Sequence, residues 1–142
     1  MPPDLQRFVE AQERVFETAM DELRAGQKRS HWMWFIFPQL HGLGRSETSR
    51  RFGIHGLEEA KRYLQHPVLG PRLVQAAHAA MQSGAPLVAL FGAVDAQKFI
   101  SCMTLFSQAS AEDSLFGDIL ARLQTSDATT LEILRAQERP GH

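Results

Sequence analysis

The densest chemistry in this chain sits at residues 28 to 32, where Lys28, Arg29, Ser30, His31 and Trp32 follow one another without a gap. If a helix begins at this point, its free N–H groups and the positive end of its dipole favour an anion there. Lys28 and Arg29 add charge, and a guanidinium can grip a phosphate or carboxylate with two parallel hydrogen bonds. Trp32 offers a ring face on which a base could stack. His31 is the acid/base candidate, because imidazole titrates near neutrality. The set suits a small anionic or nucleotide-like ligand. The competing reading is basic residues in solvent beside a buried aromatic run. One observation weighs against it. Lys28 and Arg29 stand where a helix dipole prefers carboxylates, a penalty of at most about 1 kcal/mol.

A second polar group lies in "DAQKFISCMTLFSQ", residues 95 to 108. At helical spacing Gln97, Ser101, Thr104 and Gln108 share one narrow face, with Lys98 at its margin. That face could line a cleft, with Gln39, Lys98, Ser101 and Thr104 orienting a ligand. The competing reading is a polar surface or a hydrogen-bonded helix contact. A shared site requires residues 28 to 39 to meet residues 95 to 105.

Other chemistries find little support. His31, His41, His55, His66, His78 and His142 have no ligand spacing, so no metal is expected. Cys102 falls on an apolar face beside Met103 and Phe106, where a thiol is usually inert. "GLG" at 42 to 44 follows no strand and is no dinucleotide fingerprint, and no cofactor is implied. Ser46 and Ser49 have no base partner from which a catalytic triad could be assembled.

These residues need elements to hold them. Residues 4 to 25 carry Leu5, Phe8, Val9, Val15, Phe16, Ala19, Met20 and Leu23 at helical intervals, with Gln12 as a polar exception. Asp4 is the expected N-cap and Gly26 the C′ residue. Residues 31 to 37 are apolar on every side, which suits a buried strand or a short helix capped by Ser30 and ended before Pro38. No other segment offers a good strand partner, so helix is the reading taken. Residues 38 to 56 form a glycine-rich loop, with one helical turn at "SETSRRF". Helices follow at "LEEAKRYLQ", with Leu57, Ala60, Tyr63 and Leu64 inward, and at "PRLVQAAHAAMQSG". Pro67 suits the first position of a turn between them. "PLVALFG" gives a turn or two. Asp95 caps a helix through about Gln108 that buries Phe99, Cys102, Met103 and Phe106. Ser114–Leu123 and Asp127–Ala136 complete the chain. The fold class is all-α, a multihelical single domain over residues 1–142 with about seven to eight helices and no significant sheet. Residues 1–3 and 137–142 are expected to be frayed tails.

Composition agrees. At 142 residues the chain fits one domain that needs no metal or disulfide. Fifteen basic and sixteen acidic residues leave a formal charge of −1, which argues against general nucleic-acid binding. One cysteine, no signal-type run and no bilayer-length apolar stretch make a soluble cytoplasmic protein the expectation, with a monomer as default and no membrane contact.

The segments "LQRFVEAQ", "ELRAGQKRSHWMWFIFPQLHGLGRSETSRRFGI", "EAKRYLQHPVLGPRL" and "FGAVDAQKFISCMTLF" resemble successive motifs of a bacterial domain-of-unknown-function family, family 1810. Its members are sometimes labelled calpastatin. The resemblance spans nearly the whole chain. It implies a compact multihelical domain but no activity. A calpastatin-type inhibitor is disordered and repetitive, whereas this chain has a core composition and no repeats. The polar residues that match the family's motifs are Lys28, Arg29, Ser30, His31, Gln39, Ser46, Ser49, Asp95, Lys98, Ser101 and Thr104. Phe52 stands where the resemblance leads one to expect an aromatic residue, often tyrosine, so a hydroxyl is absent there. Two functions remain: a small-molecule site, which would make the protein an enzyme if His31 acts on the ligand, or a non-catalytic interaction module whose polar motif is a hydrogen-bond network.

Overall fold

The apolar stripe of the first segment is buried as its spacing predicts. In the computed structural model, which describes residues 5–110 and 114–138, it lies on helix α1 (Gln6–Ala25). Phe8, Ala19 and Leu23 are fully covered. Gly26 ends the helix in the left-handed region at φ 75°, where a side chain would be strained, and its N–H returns to the last turn. The expected cap Asp4 and residues 1–3 and 139–142 lie outside the described residues. Leu5 precedes the first turn and makes no side-chain cap.

Eight further helices follow among the described residues: α2 (Met33–Ile36), α3 (Glu47–Arg51), α4 (Leu57–Gln65), α5 (Leu69–Gln82), α6 (Leu87–Phe91), α7 (Ala93–Ala109), α8 (Leu115–Leu123) and α9 (Ala128–Glu138). The count exceeds the expected seven or eight because α2, α3 and α6 are each scarcely more than one turn. The described residues contain no strand, only an isolated parallel bridge between Leu40 and Ile54. The all-α, single-domain reading holds. No described helix is long and apolar enough to cross a membrane.

Several boundaries differ from expectation for identifiable reasons. Helix α5 starts at Leu69 rather than Pro71, and Pro67 lies before it. His66 Nδ1 accepts the N–H groups of Val68 (3.1 Å) and Leu69 (3.3 Å), so an imidazole does the work of a cap. Helix α7 starts at Ala93, so Asp95 lies inside its first turn and is not the cap. Gly92, with φ 82°, breaks the chain between α6 and α7. Helix α9 continues through Gln137 and Glu138, past the expected end at Ala136. Ser114 and Asp127 cap α8 and α9: Ser114 Oγ accepts the Gly117 N–H at 3.1 Å, and Asp127 accepts that of Thr130 at 3.0 Å.

Helix α7 is the hub, packed against α4, α6, α8 and α9, while α1 packs on α2 and α5. A run of aromatic rings crosses the core. Phe8 meets Tyr63 at 5.3 Å, Tyr63 meets Phe106 at 5.2 Å, and Phe106 meets Phe116 at 5.8 Å. A second group centres on Phe37, edge-on to Phe91 and Phe99 and tilted against Trp32. Such pairs add about 0.5–1.5 kcal/mol each beyond area burial. Gln12, the polar exception on α1, is 1% exposed. Its Nε2 donates to Phe35 O at 2.7 Å and Tyr63 Oη at 2.9 Å, so one amide joins α1 to α2 and α4. Fully bonded buried polar groups of this kind favour a single packing arrangement.

Candidate functional site

Residues 28 to 32 do not open a helix. Helix α2 begins only at Met33, with Trp32 at its N-cap position and no side-chain cap. The backbone donors expected to face a ligand are instead taken by a carboxylate of the same chain. Glu22 Oε1 accepts the N–H of Arg29 (2.7 Å), the N–H of Ser30 (2.9 Å) and the indole N–H of Trp32 (3.0 Å). Its Oε2 accepts the Ser30 hydroxyl at 2.6 Å. Burial alone would raise the Glu22 carboxyl, but the four donors together outweigh it and hold the group down at about 2. The anion that the motif is built to receive is therefore present as Glu22.

That finding changes the reading of Ser30 and Trp32, and other contacts occupy Arg29 and Lys28. Ser30 does not cap α2, because its hydroxyl belongs to Glu22. Trp32 has no face for a ligand, being 1% exposed. Arg29 points into solvent, with its guanidinium on Gln27 Oε1 at 3.2 Å. Lys28 is almost covered: its Nζ donates to Ser30 O at 2.6 Å, pairs with Asp95 at 2.9 Å and lies 5.2 Å from the Trp32 ring centroid.

The polar face of α7 divides. Lys98 reaches Asp95 at 3.3 Å and stands 4.3 Å from the Trp34 ring centroid. Ser101 donates to Gln97 O in its own helix. Thr104 donates to Ile100 O at 2.8 Å and accepts the Asp127 N–H at 2.9 Å, while Gln97 Nε2 reaches Asp127 Oδ1 at 3.3 Å. The stripe of Gln97 and Thr104 thus receives the start of α9, so Thr104 is a helix contact and does not stand beside Lys98 in a cleft. Replacing Thr104 with Val should cost about 1–3 kcal/mol, since it strands the Asp127 N–H at the same side-chain volume. Urea unfolding would show this, with Thr104→Ser restoring most of the loss.

Gln39 is buried, and its Nε2 has no hydrogen-bond partner among the described residues. Its carbonyl accepts the Ile54 N–H. Ser46 caps α3, accepting the Ser49 N–H at 3.1 Å, and Ser49 Oγ returns to Ser46 O. Cys102 is fully buried, and burial pushes its thiol up. The described residues hold no group of three or more His, Cys, Asp or Glu able to bind a metal.

One cleft does join the two stretches. It has a volume of about 320 Å³ and is lined by Lys28, His31, Met33, Trp34, Phe35, Thr48, Asp95 and Lys98. The Lys28–Asp95 pair and the half-buried indole of Trp34 line it, and Lys98 lies over that indole. His31 is exposed at the edge. Larger hollows flank α5, of about 570 and 660 Å³, and one of about 460 Å³ lies between α4 and α9. None of these is lined by Trp, Tyr or Phe, so none combines a ring face with converging cations. Reading the sequence missed Glu22, Trp34 and Thr48. For Glu22 a signal existed: a carboxylate in the last turn of α1 sits where the helix dipole disfavours it.

Comparison with known proteins adds a family and one close structure. The family model described as "Protein of unknown function (DUF1810)" matches residues 2–134. The crystal structure of the conserved hypothetical protein Rv1873 from Mycobacterium tuberculosis is similar, with a TM-score of 0.90 and 46% sequence identity. The similarity covers 95% of this chain and 99% of that one. No curated protein matches.

Proposed function

This chain belongs to the DUF1810 family of proteins of unknown function, and from its own residues we propose that the cleft beside α7 binds a small anionic, ring-bearing ligand of nucleotide-like chemistry. The observation that carries the reading is Lys98 over Trp34 at 4.3 Å, in a space of about 320 Å³. An ammonium and an indole face are the two parts needed to hold a phosphate or carboxylate and a flat ring together. The volume lies at the small end of the range for ligand pockets. Lys98 pairs with Asp95 and rests on the Trp34 ring, so an incoming anion can draw it off the ring and leave the indole free to stack. Thr48 adds a hydroxyl to the lining, and His31 is the acid/base candidate if the ligand is also a substrate. Lys28 also lines the cleft, with its ammonium paired to Asp95.

The test is calorimetric titration of the protein with adenosine 5′-monophosphate, adenosine and inorganic phosphate. The monophosphate should bind more tightly than either part. At 100 times its dissociation constant it should stabilise the fold by about 2.7 kcal/mol. Lys98→Met should weaken it at least about tenfold, the loss of one charge-assisted contact, with little change in the unfolding midpoint. Absence of heat and of thermal shift with all three probes at millimolar concentration would sink the reading.

The alternative, a non-catalytic module whose polar motif is a hydrogen-bond network, draws support from Glu22 and its four donors. The two readings apply to different halves of the motif. His31→Ala and Ser30→Ala separate them further: lost ligand heat with unchanged stability in the first favours the cleft, and lost stability in the second, which removes one donor to Glu22, favours the network.

A further inference from the structure

The loop of residues 38–56 is nineteen residues long, and loops of that length are usually tied down or functional. This one is tied by two hydrogen bonds around the Leu40–Ile54 bridge: Ile54 N–H to Gln39 O at 2.8 Å, and His41 N–H to Ile54 O at 2.7 Å. Leu40 and Ile54 turn into the core. On the outer side His41 and His55 lie side by side, ring centroids 4.7 Å apart and planes 23° from parallel. Gly53 lets the two arms of the loop approach, since a Cβ there would lie 2.7 Å from His41 Cα. Stacked neutral imidazoles tolerate this geometry. Two imidazolium rings at this distance repel, so charge on both disfavours the stacked arrangement.

Charged groups surround the pair from several elements. From α1, Arg7 donates to Arg51 O, Gly53 O and Glu59 Oε1. From α4, Glu59 Oε1 also accepts the His55 N–H at 3.2 Å. Glu58, Lys61 and Arg62 of α4 and Glu138 of α9 line the hollow that His55 borders. Gln137 of α9 donates to His55 O at 3.4 Å, and Arg51 of the loop lies over Phe52. His55 is held below the usual imidazole range, first by burial and then by His41 and Arg7, against the pull of Glu59.

We propose that the exposed His41–His55 pair is a pH-sensitive latch on the 38–56 loop: neutral and stacked it favours the closed Leu40–Ile54 bridge, and doubly protonated it loosens the bridge. The sign follows from linkage. A histidine lowered in the folded state is protonated first in the open state, so closure is complete above the ordinary imidazole range and is lost as pH falls below it. Helix α3 rides on this loop and carries Thr48. A consequence for the candidate cleft follows, which rests on the ligand reading, whereas the latch does not.

The experiment uses the whole chain without ligand. Ring titrations of His41 and His55 are followed by NMR from pH 8 to pH 5, with amide exchange of His41 and Ile54 corrected for the intrinsic pH dependence. The His55 ring should titrate below the ordinary imidazole range, and protection at both amides should fall at least about tenfold as it does. His41→Gln keeps Arg7, Glu59 and every other charge but removes the repulsion. In that variant the Ile54 amide should stay protected, and the His55 midpoint should rise. Unchanged protection in the parent chain overturns the latch, as does an equal fall in His41→Gln.

Discussion

Glu22→Ala should destabilise the protein by about 2–4 kcal/mol, since it leaves four donors without their charged acceptor in a half-buried site. Arg29 N–H, Ser30 N–H, Ser30 Oγ–H and Trp32 Nε1–H all converge on this one carboxylate. Glu22→Gln keeps one oxygen but turns an NH₂ toward a donor, so it should cost about half as much by the same reasoning. The pH profile separates this role from simple packing. The Glu22 carboxyl is held at about 2 against an ordinary 4.5. Because the folded value is depressed, the unfolded chain takes up the proton first as pH falls. The contribution is complete above the unfolded value and is lost between about pH 5 and pH 2. Urea unfolding of the parent chain should show that loss, and Glu22→Gln should show a correspondingly flatter profile there. Parallel profiles for the two proteins would mean that the network does not depend on the Glu22 charge.

The same residue shows why the fold was easier to read than the site. Long helices announce themselves locally. The stripes of α1, α4, α5, α8 and α9 recur every three or four residues, and Gly26, Ser114 and Asp127 mark ends by chemistry within a turn of themselves. The short elements are decided by distant partners. Ser30 has every local qualification for an N-cap, but its hydroxyl bonds to a carboxylate eight residues earlier, and the helix starts three residues later. Asp95 looks like a cap because its neighbours are helical; Gly92 sets the start, and the carboxylate faces Lys28 across the fold. Thr104 sits on a polar stripe whose purpose depends on Asp127, 23 residues away. Periodicity reports which face a residue occupies and cannot report what comes to meet it. The dipole rule that flagged Lys28 and Arg29 applies equally to Glu22. Glu22 does stand at a helix end and is answered by the N–H groups of Arg29 and Ser30, whereas Lys28 and Arg29 open no helix and so break no rule.

The second large effect is expected at Asp95. Lys28 has only 8% of its side chain exposed, and Asp95 is its carboxylate partner at 2.9 Å. Removing one member of a covered ion pair strands the other charge, a loss of about 3–5 kcal/mol in fully buried pairs. Asp95 is 20% exposed and Ser30 O remains as an acceptor for Lys28, so Asp95→Ala should cost about 2–4 kcal/mol. Lys28→Met removes the stranded charge while keeping most of the stem that packs beside Trp32. The double variant should therefore be more stable than Asp95→Ala alone, with a coupling of at least about 1.5 kcal/mol, well beyond the error of additivity for independent sites. Denaturant unfolding of the four proteins at pH 7 completes the cycle. Strict additivity would mean that Lys28 and Asp95 do not work as a pair, and the join between residues 28–32 and α7 would then rest on apolar packing alone. The cycle also bears on the cleft. Asp95 holds Lys98 as well as Lys28, so the double variant repairs the scaffold and leaves Lys98 untethered over Trp34. A protein with near-parent stability but altered affinity for an anionic ring compound would separate the two duties of this carboxylate.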